Sequence, residues 1–336
     1  MVDAASYAGA DIVKFQTFQA NKLVTGHAPT ASYQKRNLKQ LETQQSMLSR
    51  LELSPQAHRR LSQQCESLGV EFLSTAFDTD SLKFLVNDIG LSRLKIASGE
   101  ITNLPFILEH ATTGLDIILS TGMSNLAEIE AALEVIAFGY LHATDEQTPC
   151  RQAFQDAYIS KAGQQVLQQK VTLLHCTTEY PAPLEEINLR AIPTLQRAFG
   201  LEVGYSDHSQ GNAISVAATA LGACLIEKHF TLDKTMDGPD HRASLEPAEF
   251  LELVASIRSV ELAMGDGIKR PTKSEIPNKK IARRSLVALM PIKFGEPFND
   301  QNLGTKRPGD GLSPSLYWSL IGSSAKKDYS LGDLIV

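Results

Sequence analysis

Two histidines stand at the ends of consecutive apolar segments. The segment LEVGYSDH ends at His208, and the next apolar segment, ACLIEKHF, carries His229 near its end. The small-residue stretch between them, GNAISVAATALGA, is typical of a helix, so we expect the two segments to be parallel neighbouring strands. Both imidazoles would then lie at the carboxyl edge of one sheet, where they could share a divalent metal ion or transfer protons. Two surface histidines with no shared role are the alternative, which the paired position at two strand ends disfavours.

Lysines and hydroxyls occupy similar positions on the other predicted strands. Lys14 and Gln16 lie two residues apart on DIVKFQTF, and therefore on one face of a strand. Thr75 lies near the end of the next segment, and Lys95 and Ser98 lie on KIASGE. Both lysines have apolar neighbours on strands that helices should cover, so a solvated surface position explains them poorly. We therefore expect a binding site for phosphate or carboxylate.

Short segments rich in β-branched residues alternate with longer helical patterns. The predicted strands are residues 11–18, 70–77, 93–100, 116–123, 171–181, 201–208 and 223–230. The helical pattern at 54–69 begins with Ser54 as N-cap and Pro55 at the first helical position. So many strand–helix units in one domain favour a (β/α)8 TIM barrel over an open sheet. Such a barrel needs eight strands, so we expect this chain to lack the first one.

The alternation of predicted strands and helices is interrupted twice along the chain. Residues 137–170 are predicted to be a polar helical insertion on the outside of the barrel. A basic stretch with proline and glycine, GDGIKRPTKSEIPNKKIARR, follows the last barrel helix and is typical of a linker. We therefore expect a barrel domain at residues 1–266, a linker at 267–283 and a small, mostly β domain at 284–336.

Composition excludes several classes of partner. The chain has 336 residues and a formal net charge of −6, which provides no general attraction for nucleic acid or for an anionic membrane. No apolar segment approaches the ~20 residues that cross a bilayer. The four cysteines are scattered, without the spacing of a metal or disulfide motif, which indicates reduced thiols and a cytoplasmic location.

A series of motifs in order along the chain allows a family comparison. These motifs are KFQTF, FLSTAFD, LKIASGE, ILSTGM, LLHCTTEYPAP, GYSDH, EKHFT and KRPGDG. Together they resemble the sialic acid synthase family, whose members condense phosphoenolpyruvate with an N-acylated amino sugar. The resemblance covers almost the whole chain, and its C-terminal part resembles the antifreeze-like (SAF) domain of that family.

The resemblance implies a role for each site residue. His208 and His229 match the two protein ligands of a divalent metal, Mn²⁺ or Mg²⁺. Tyr180 stands where the family has a tyrosine near the substrates. Arg307 matches an arginine that one subunit inserts into its partner's barrel to bind the amino sugar, which implies a domain-swapped homodimer. The residues that match those holding phosphoenolpyruvate are Lys14, Gln16, Thr75, Lys95, Ser98 and Ser206.

Departures from the family pattern indicate to which branch of the family the chain is most similar. Thr178 stands where neuraminate-type members usually have asparagine. Together with Glu179, the segment 236–244 and the insertion at 137–170, it resembles the branch that makes legionaminic acid. The sugar would then be 2,4-diacetamido-2,4,6-trideoxymannose rather than N-acetylmannosamine. The glutamate and the Asn-His-Asn-Gly loop that open the family's barrel are not in this sequence.

Three other functions stay open at this point. The same barrel could serve another phosphoenolpyruvate-dependent aldose synthase, or an aldolase that forms a lysine Schiff base. The missing first strand also leaves a non-catalytic carbohydrate-binding protein. Within the synthase hypothesis, Asp207 could orient a metal ligand or a metal-bound water.

Overall fold

The seven expected strands are present, and all belong to one parallel sheet. The structure, a computed structural model, describes residues 1–26, 28–29, 43–144 and 147–336. The strands of this sheet are β1 Ile12–Thr17, β2 Glu71–Ala76, β3 Arg93–Ile96, β4 Asp116–Ser120, β5 Val171–Cys176, β6 Glu202–Asp207 and β7 Ile226–Lys228. Each strand pairs in parallel with the next in chain order. Because parallel neighbours need a crossover, this order confirms the predicted alternation of strands and helices.

Helices connect the strands and cover the sheet. In the described residues the α-helices are α1 Val2–Tyr7, α2 Ala20–Leu23, α3 Gln44–Leu51, α4 Pro55–Ser67, α5 Thr79–Phe84, α6 Leu104–Thr112, α7 Leu126–Leu141, α8 Arg151–Ile159, α9 Lys161–Lys170, α10 Ala191–Phe199, α11 Ala213–Ala220, α12 Pro247–Met264, α13 Glu275–Ala282 and α14 Tyr317–Leu320. A 3-10 turn at Ser98–Glu100 follows β3. None of these helices is both long and apolar enough to cross a membrane.

Local sequence determines where the major helices begin. Helix α4 starts where the Ser54 side chain accepts a hydrogen bond from the Ala57 N–H at 3.2 Å, with Pro55 in the first turn. Helix α7 starts at a capping box, in which Asn125 and Glu128 satisfy each other's backbone N–H groups. These caps hold the helices in place relative to the strands that precede them.

The sheet curls so that its first and last strands approach each other. Lys14 on β1 reaches Glu227 on β7, with 2.5 Å between Nζ and Oε2. We call the face of the sheet on which these two side chains meet the interior face. Among the described residues, no strand pairs with the free edges of β1 and β7. The residues of these two strands are largely half-buried, whereas β4 and β6 are almost completely buried.

The main core lies between the sheet and its outer helices. Leu119, Leu173 and Val203 from the strands are fully buried against Ile136 and its neighbours on α7. Helices α8 and α9, in the expected insertion at 137–170, pack on α7. Residues 145–146 of that insertion lie outside the described residues.

The chain divides into two units, Met1–Gly265 and Asp266–Val336. In the second unit, β8 Ser285–Ala288 pairs antiparallel with β9 Leu303–Lys306 around a small apolar core. The segment 267–283, which we expected to be a linker, contains helix α13.

Candidate active site

The two histidines lie side by side on the interior face. Ser206 on β6 lies opposite Glu227 on β7, and the Ser206 hydroxyl donates to Glu227 Oε1 at 2.7 Å. His208 and His229 stand two residues further along these strands, so they share the face of that pair. Their ring centroids are 5.4 Å apart. The predicted juxtaposition of the two imidazoles is therefore present.

Burial and a backbone carbonyl control the state of His208. Its Nδ1 lies 2.7 Å from the carbonyl oxygen of Thr177. Because a carbonyl only accepts, Nδ1 carries the hydrogen, and Nε2 presents its lone pair. The ring of Tyr180 lies 4.0 Å from that of His208 and 5.4 Å from that of His229. Burial lowers the pKa of His208 to about 4 and that of His229 to about 3, so both imidazoles are neutral at pH 7.

Glu227 joins the two lysines of the site. Its carboxylate lies 2.5 Å from Lys14 Nζ and 3.9 Å from Lys95 Nζ. Burial by itself would raise the pKa of Glu227, but the two cations and the hydrogen bonds from Lys14 and Ser206 hold it well below the usual range. Burial lowers the pKa of Lys95 to about 8 against the attraction of Glu227. With both lysines protonated, the three groups carry one surplus positive charge, which favours an anionic ligand.

Gln16 and Thr75 extend this cluster across the sheet. Gln16 on β1 is the register partner of Thr75 on β2, and Thr75 is the partner of Lys95 on β3. Thr75 is buried and Gln16 is exposed. An amide, a hydroxyl and an ammonium group therefore follow one another on adjacent strands.

A second group of polar atoms surrounds Gly122, directly after β4. The Gly122 N–H donates to Ser98 Oγ at 3.0 Å. A Cβ atom at Gly122 would lie 2.4 Å from Thr178 Oγ1 and 2.8 Å from Ser98 Oγ, so this close approach requires glycine. Thr178 Oγ1 is buried and has no hydrogen-bond partner within the described part of the chain. Such an orphaned hydroxyl indicates a place for a ligand oxygen.

The histidine pair fits a divalent metal ion. Metal-binding imidazoles are neutral and commonly donate their second ring N–H to a carbonyl, as His208 does to Thr177. In the part of the chain that the structure describes, no group of three or more His, Cys, Asp or Glu side chains could hold a metal ion. The remaining ligands of an ion on His208 and His229 would have to be substrate oxygens or water.

Two further residues were singled out from the sequence. Arg307 is exposed in the second unit, directly after β9, and its role at a sugar site stays a prediction. Asp207, which we expected to orient a metal ligand or a metal-bound water, makes no direct hydrogen bond to the His208 ring. Its Oδ1 accepts from the Ser209 N–H at 2.7 Å, and its Oδ2 accepts from Ser215 Oγ at 2.5 Å. Side chains on a strand alternate between faces, so Asp207 points away from the face that carries His208. The contact that orients the His208 ring comes instead from the Thr177 carbonyl.

Glu227 was not among the residues predicted from the sequence. The available signal is its position two residues before His229, which repeats the spacing between Ser206 and His208. A carboxylate in an apolar strand needs a paired cation. The cation here, Lys14, is 213 positions away in sequence, so neighbouring residues do not reveal the pair.

Comparison with known proteins gives the family. A model of the NeuB family matches residues 1–269. The chain belongs to the NeuB family. The N,N'-diacetyllegionaminic acid synthase of Campylobacter jejuni is 47% identical, covering 100% of this chain and 92% of the relative. That of Legionella pneumophila is 40% identical, covering 100% of this chain and 88% of the relative.

A solved structure agrees with this assignment. The N-acetylneuraminic acid (sialic acid) synthetase of Leptospira borgpetersenii, solved with citrate, is 29% identical to this NeuB-family chain with a TM-score of 0.66. The match covers 83% of this chain and 82% of the solved chain. The resemblance to sialic acid synthases is confirmed.

Proposed function

We propose that this chain condenses phosphoenolpyruvate with an N-acetylmannosamine-type sugar and water to form a nonulosonic acid and phosphate. One observation carries the proposal: a cationic cluster of Lys14, Glu227 and Lys95 lies on the same face of one sheet as the paired His208 and His229. The reaction joins an anionic enol phosphate to an aldehyde, so it needs an anion site beside a group that activates a carbonyl oxygen.

We infer that the sugar is 2,4-diacetamido-2,4,6-trideoxymannose. Both relatives compared above are named N,N'-diacetyllegionaminic acid synthase, and they are 47% and 40% identical along the whole of this chain. The presence of Thr178 in place of the asparagine of neuraminate-type members supports the same branch. N-acetylmannosamine is then a poor substrate.

The residues of the chain bind and orient the two substrates. Lys14 and Lys95 neutralise the phosphate and carboxylate of phosphoenolpyruvate, and C3 of the enol forms a bond to the aldehyde carbon. The aldehyde oxygen takes up the electron pair and a proton. Water then adds to C2 and loses both of its protons, one balancing the proton taken up by the aldehyde oxygen and one leaving on the phosphate. The bond between C2 and the phosphate oxygen breaks, so phosphate leaves with that oxygen and C2 becomes the keto carbon. The hydroxyl and amide groups that would hold phosphoenolpyruvate are those of Gln16, Thr75, Ser98 and Ser206, whereas Thr178 would lie at the sugar.

His208 and His229 are the residues that would hold Mn²⁺ or Mg²⁺. When bound, the ion supplies Lewis-acid polarisation of the aldehyde oxygen. Tyr180 packs against both imidazoles and covers them from one side. Because burial keeps both rings neutral, they need not lose a proton to bind the ion at pH 7.

We also infer a domain-swapped homodimer in which Arg307 of one subunit binds the sugar in its partner. Charge supports this arrangement. The first unit has 20 Lys and Arg against 31 Asp and Glu, a balance of −11, whereas the second has 12 against 7, a balance of +5. A cationic unit is attracted to the acidic unit of another copy. On this proposal the sheet is a (β/α)8 barrel without the strand between β7 and β1, and the second unit is the antifreeze-like domain.

Phosphate release tests the proposal directly. Purified protein is incubated with phosphoenolpyruvate, Mn²⁺ and one sugar, either the diacetamido sugar or N-acetylmannosamine. We expect phosphate only with sugar present, fastest with the diacetamido sugar, and loss of activity with EDTA or in His208→Ala. His142→Ala, at the far end of α7, is the matched histidine control. Water labelled with ¹⁸O should place the label in the keto acid. Label in phosphate, or release that ignores the sugar, would refute the mechanism.

One observation favours a second candidate. A buried amine with a pKa of about 8, as in Lys95, is suited to form a Schiff base. A Schiff-base aldolase would be trapped by borohydride with its carbonyl substrate and would tolerate EDTA. Covalent labelling at Lys95 would therefore replace the synthase proposal.

A further inference from the structure

We propose that Asp207 and Lys228 are positioning residues, whose ion pair sets the separation of the His208 and His229 imidazoles and so the affinity of the site for its metal ion. The inference rests on the proposed function, in which these histidines are the metal ligands. The ion pair lies on the face of β6 and β7 opposite the interior face, so neither residue faces the substrates.

The strand register places the ion pair next to the histidines. Asp207 is the register partner of Lys228, and their charged atoms are 2.9 Å apart. Their side chains are 0% and 1% exposed, so the pair is fully removed from water. Each residue directly precedes one of the two histidines in sequence. A bond across this pair therefore constrains the backbone of both strands at the point where the imidazoles leave it.

Ser209 receives contacts from both members of the pair. Its N–H donates to Asp207 at 2.7 Å, and its carbonyl oxygen accepts from Lys228 Nζ at 2.5 Å. The residue before His208, Asp207, is therefore held by Lys228, and the residue after it, Ser209, is held by both members of the pair. The His208 carbonyl also accepts from the Ala182 N–H at 2.9 Å. Ring orientation and backbone position are both restrained before any ligand binds.

Stability alone explains this pair poorly. Removing two charges from water costs several kcal/mol per ion, and apolar residues of similar size often stabilise as well or better. What an ion pair adds is a defined distance and direction, which apolar contacts do not impose. Two metal ligands need such definition because coordination distances tolerate only about 0.2 Å.

Residues that support metal ligands typically change metal affinity by about 10- to 100-fold when replaced. We expect a loss of this size in Asp207→Asn and in Lys228→Met, and a smaller loss in Ser215→Ala. The last variant removes only the 2.5 Å hydrogen bond from Ser215 to Asp207. Lys228→Arg keeps the cation and should recover part of the affinity.

Two measurements without substrate test the inference. Calorimetric titration with Mn²⁺ gives the affinity, and long-range ¹H–¹⁵N spectra of the metal-free protein report the imidazole rings. Glu71→Gln is the control, since it removes the negative charge from another cross-strand ion pair, the 2.8 Å pair of Glu71 with Arg93, which lies at the amino ends of β2 and β3 and far along the strands from the histidines. We expect weaker Mn²⁺ binding and shifted ring resonances in the Asp207 and Lys228 variants, and neither change in Glu71→Gln.

Wild-type affinity and unshifted resonances in a folded Asp207→Asn or Lys228→Met protein would overturn the inference. If neither variant folds, Ser215→Ala decides by the same criterion. An equal loss of affinity in Glu71→Gln would also overturn it, because the effect would then reflect general destabilisation. If wild type binds no Mn²⁺ while the ring resonances still shift in the variants, the metal part of the proposed function fails and the positioning role stands.

Discussion

Replacing Lys95 should have opposite effects on stability and on activity. Its side chain is 3% exposed, and burial lowers its pKa from 10.5 to about 8. The unfolded chain keeps the amine protonated up to pH 10.5, whereas the folded protein holds the proton only to about pH 8. The charged amine therefore destabilises the fold below pH 8, by about 3 kcal/mol for a shift of this size. This cost disappears as the pH rises from 8 towards 10.5.

Methionine at this position has a similar length and no charge. Lys95→Met should therefore raise the free energy of unfolding at pH 7 by up to ~3 kcal/mol. Part of the gain is offset because Glu227 loses one of its two cations, although Lys14 remains at 2.5 Å. The same change should lower kcat/KM for phosphoenolpyruvate about 10- to 150-fold, the effect of losing a charged hydrogen bond worth ~1.5–3 kcal/mol.

Urea denaturation of both proteins at pH 7 and pH 9.5 measures the effect. The stability advantage of Lys95→Met should shrink at the higher pH, because only the wild type gains stability there from loss of the Lys95 proton. Comparing the two proteins cancels the other groups that titrate in this range. Lys22→Met, which removes an exposed lysine paired with Asp80, is the control and should show no such pH dependence. A less stable Lys95→Met, or a difference that ignores pH, would refute the reasoning.

Three further predictions concern single side chains. Burial lowers the pKa of His110 from 6.5 to about 4, so the unfolded chain takes up its proton first as the pH falls. The wild type should thus lose up to ~3 kcal/mol between pH 6.5 and 4, and His110→Leu should lose less when urea denaturation is measured across that pH range. Thr178→Val removes a buried hydroxyl that has no hydrogen-bond partner among the described residues, so it should keep or raise the melting temperature while raising KM for the sugar. Asn125→Ala removes the α7 capping box and should cost about 1 kcal/mol, with kcat unchanged; an altered kcat would contradict its purely structural role.

Much of the fold could be predicted because it depends on local patterns. The seven strands lie within the predicted segments, and Ser54 caps a helix where the sequence indicated. The histidine pair was predictable for the same reason. Parallel strands place equivalent ends at one edge, so position along a strand indicates position in space.

Contacts across the curled sheet were not predictable in this way. Glu227 meets Lys14 only because the sheet curls enough to bring β1 to β7. Asp207 lies next to His208 in sequence but contacts Ser215 and Lys228, because strand alternation turns it to the other face.

The sequence by itself determined where the strands lie along the chain, where the major helices begin and which residue types stand at the strand ends, since these depend on neighbours within a few positions. Only the tertiary structure decided which charges meet and which groups lose their contact with water. Those properties set the pKa values of Lys95, His208 and Glu227. They depend on distance and burial in space, which residues hundreds of positions apart establish together.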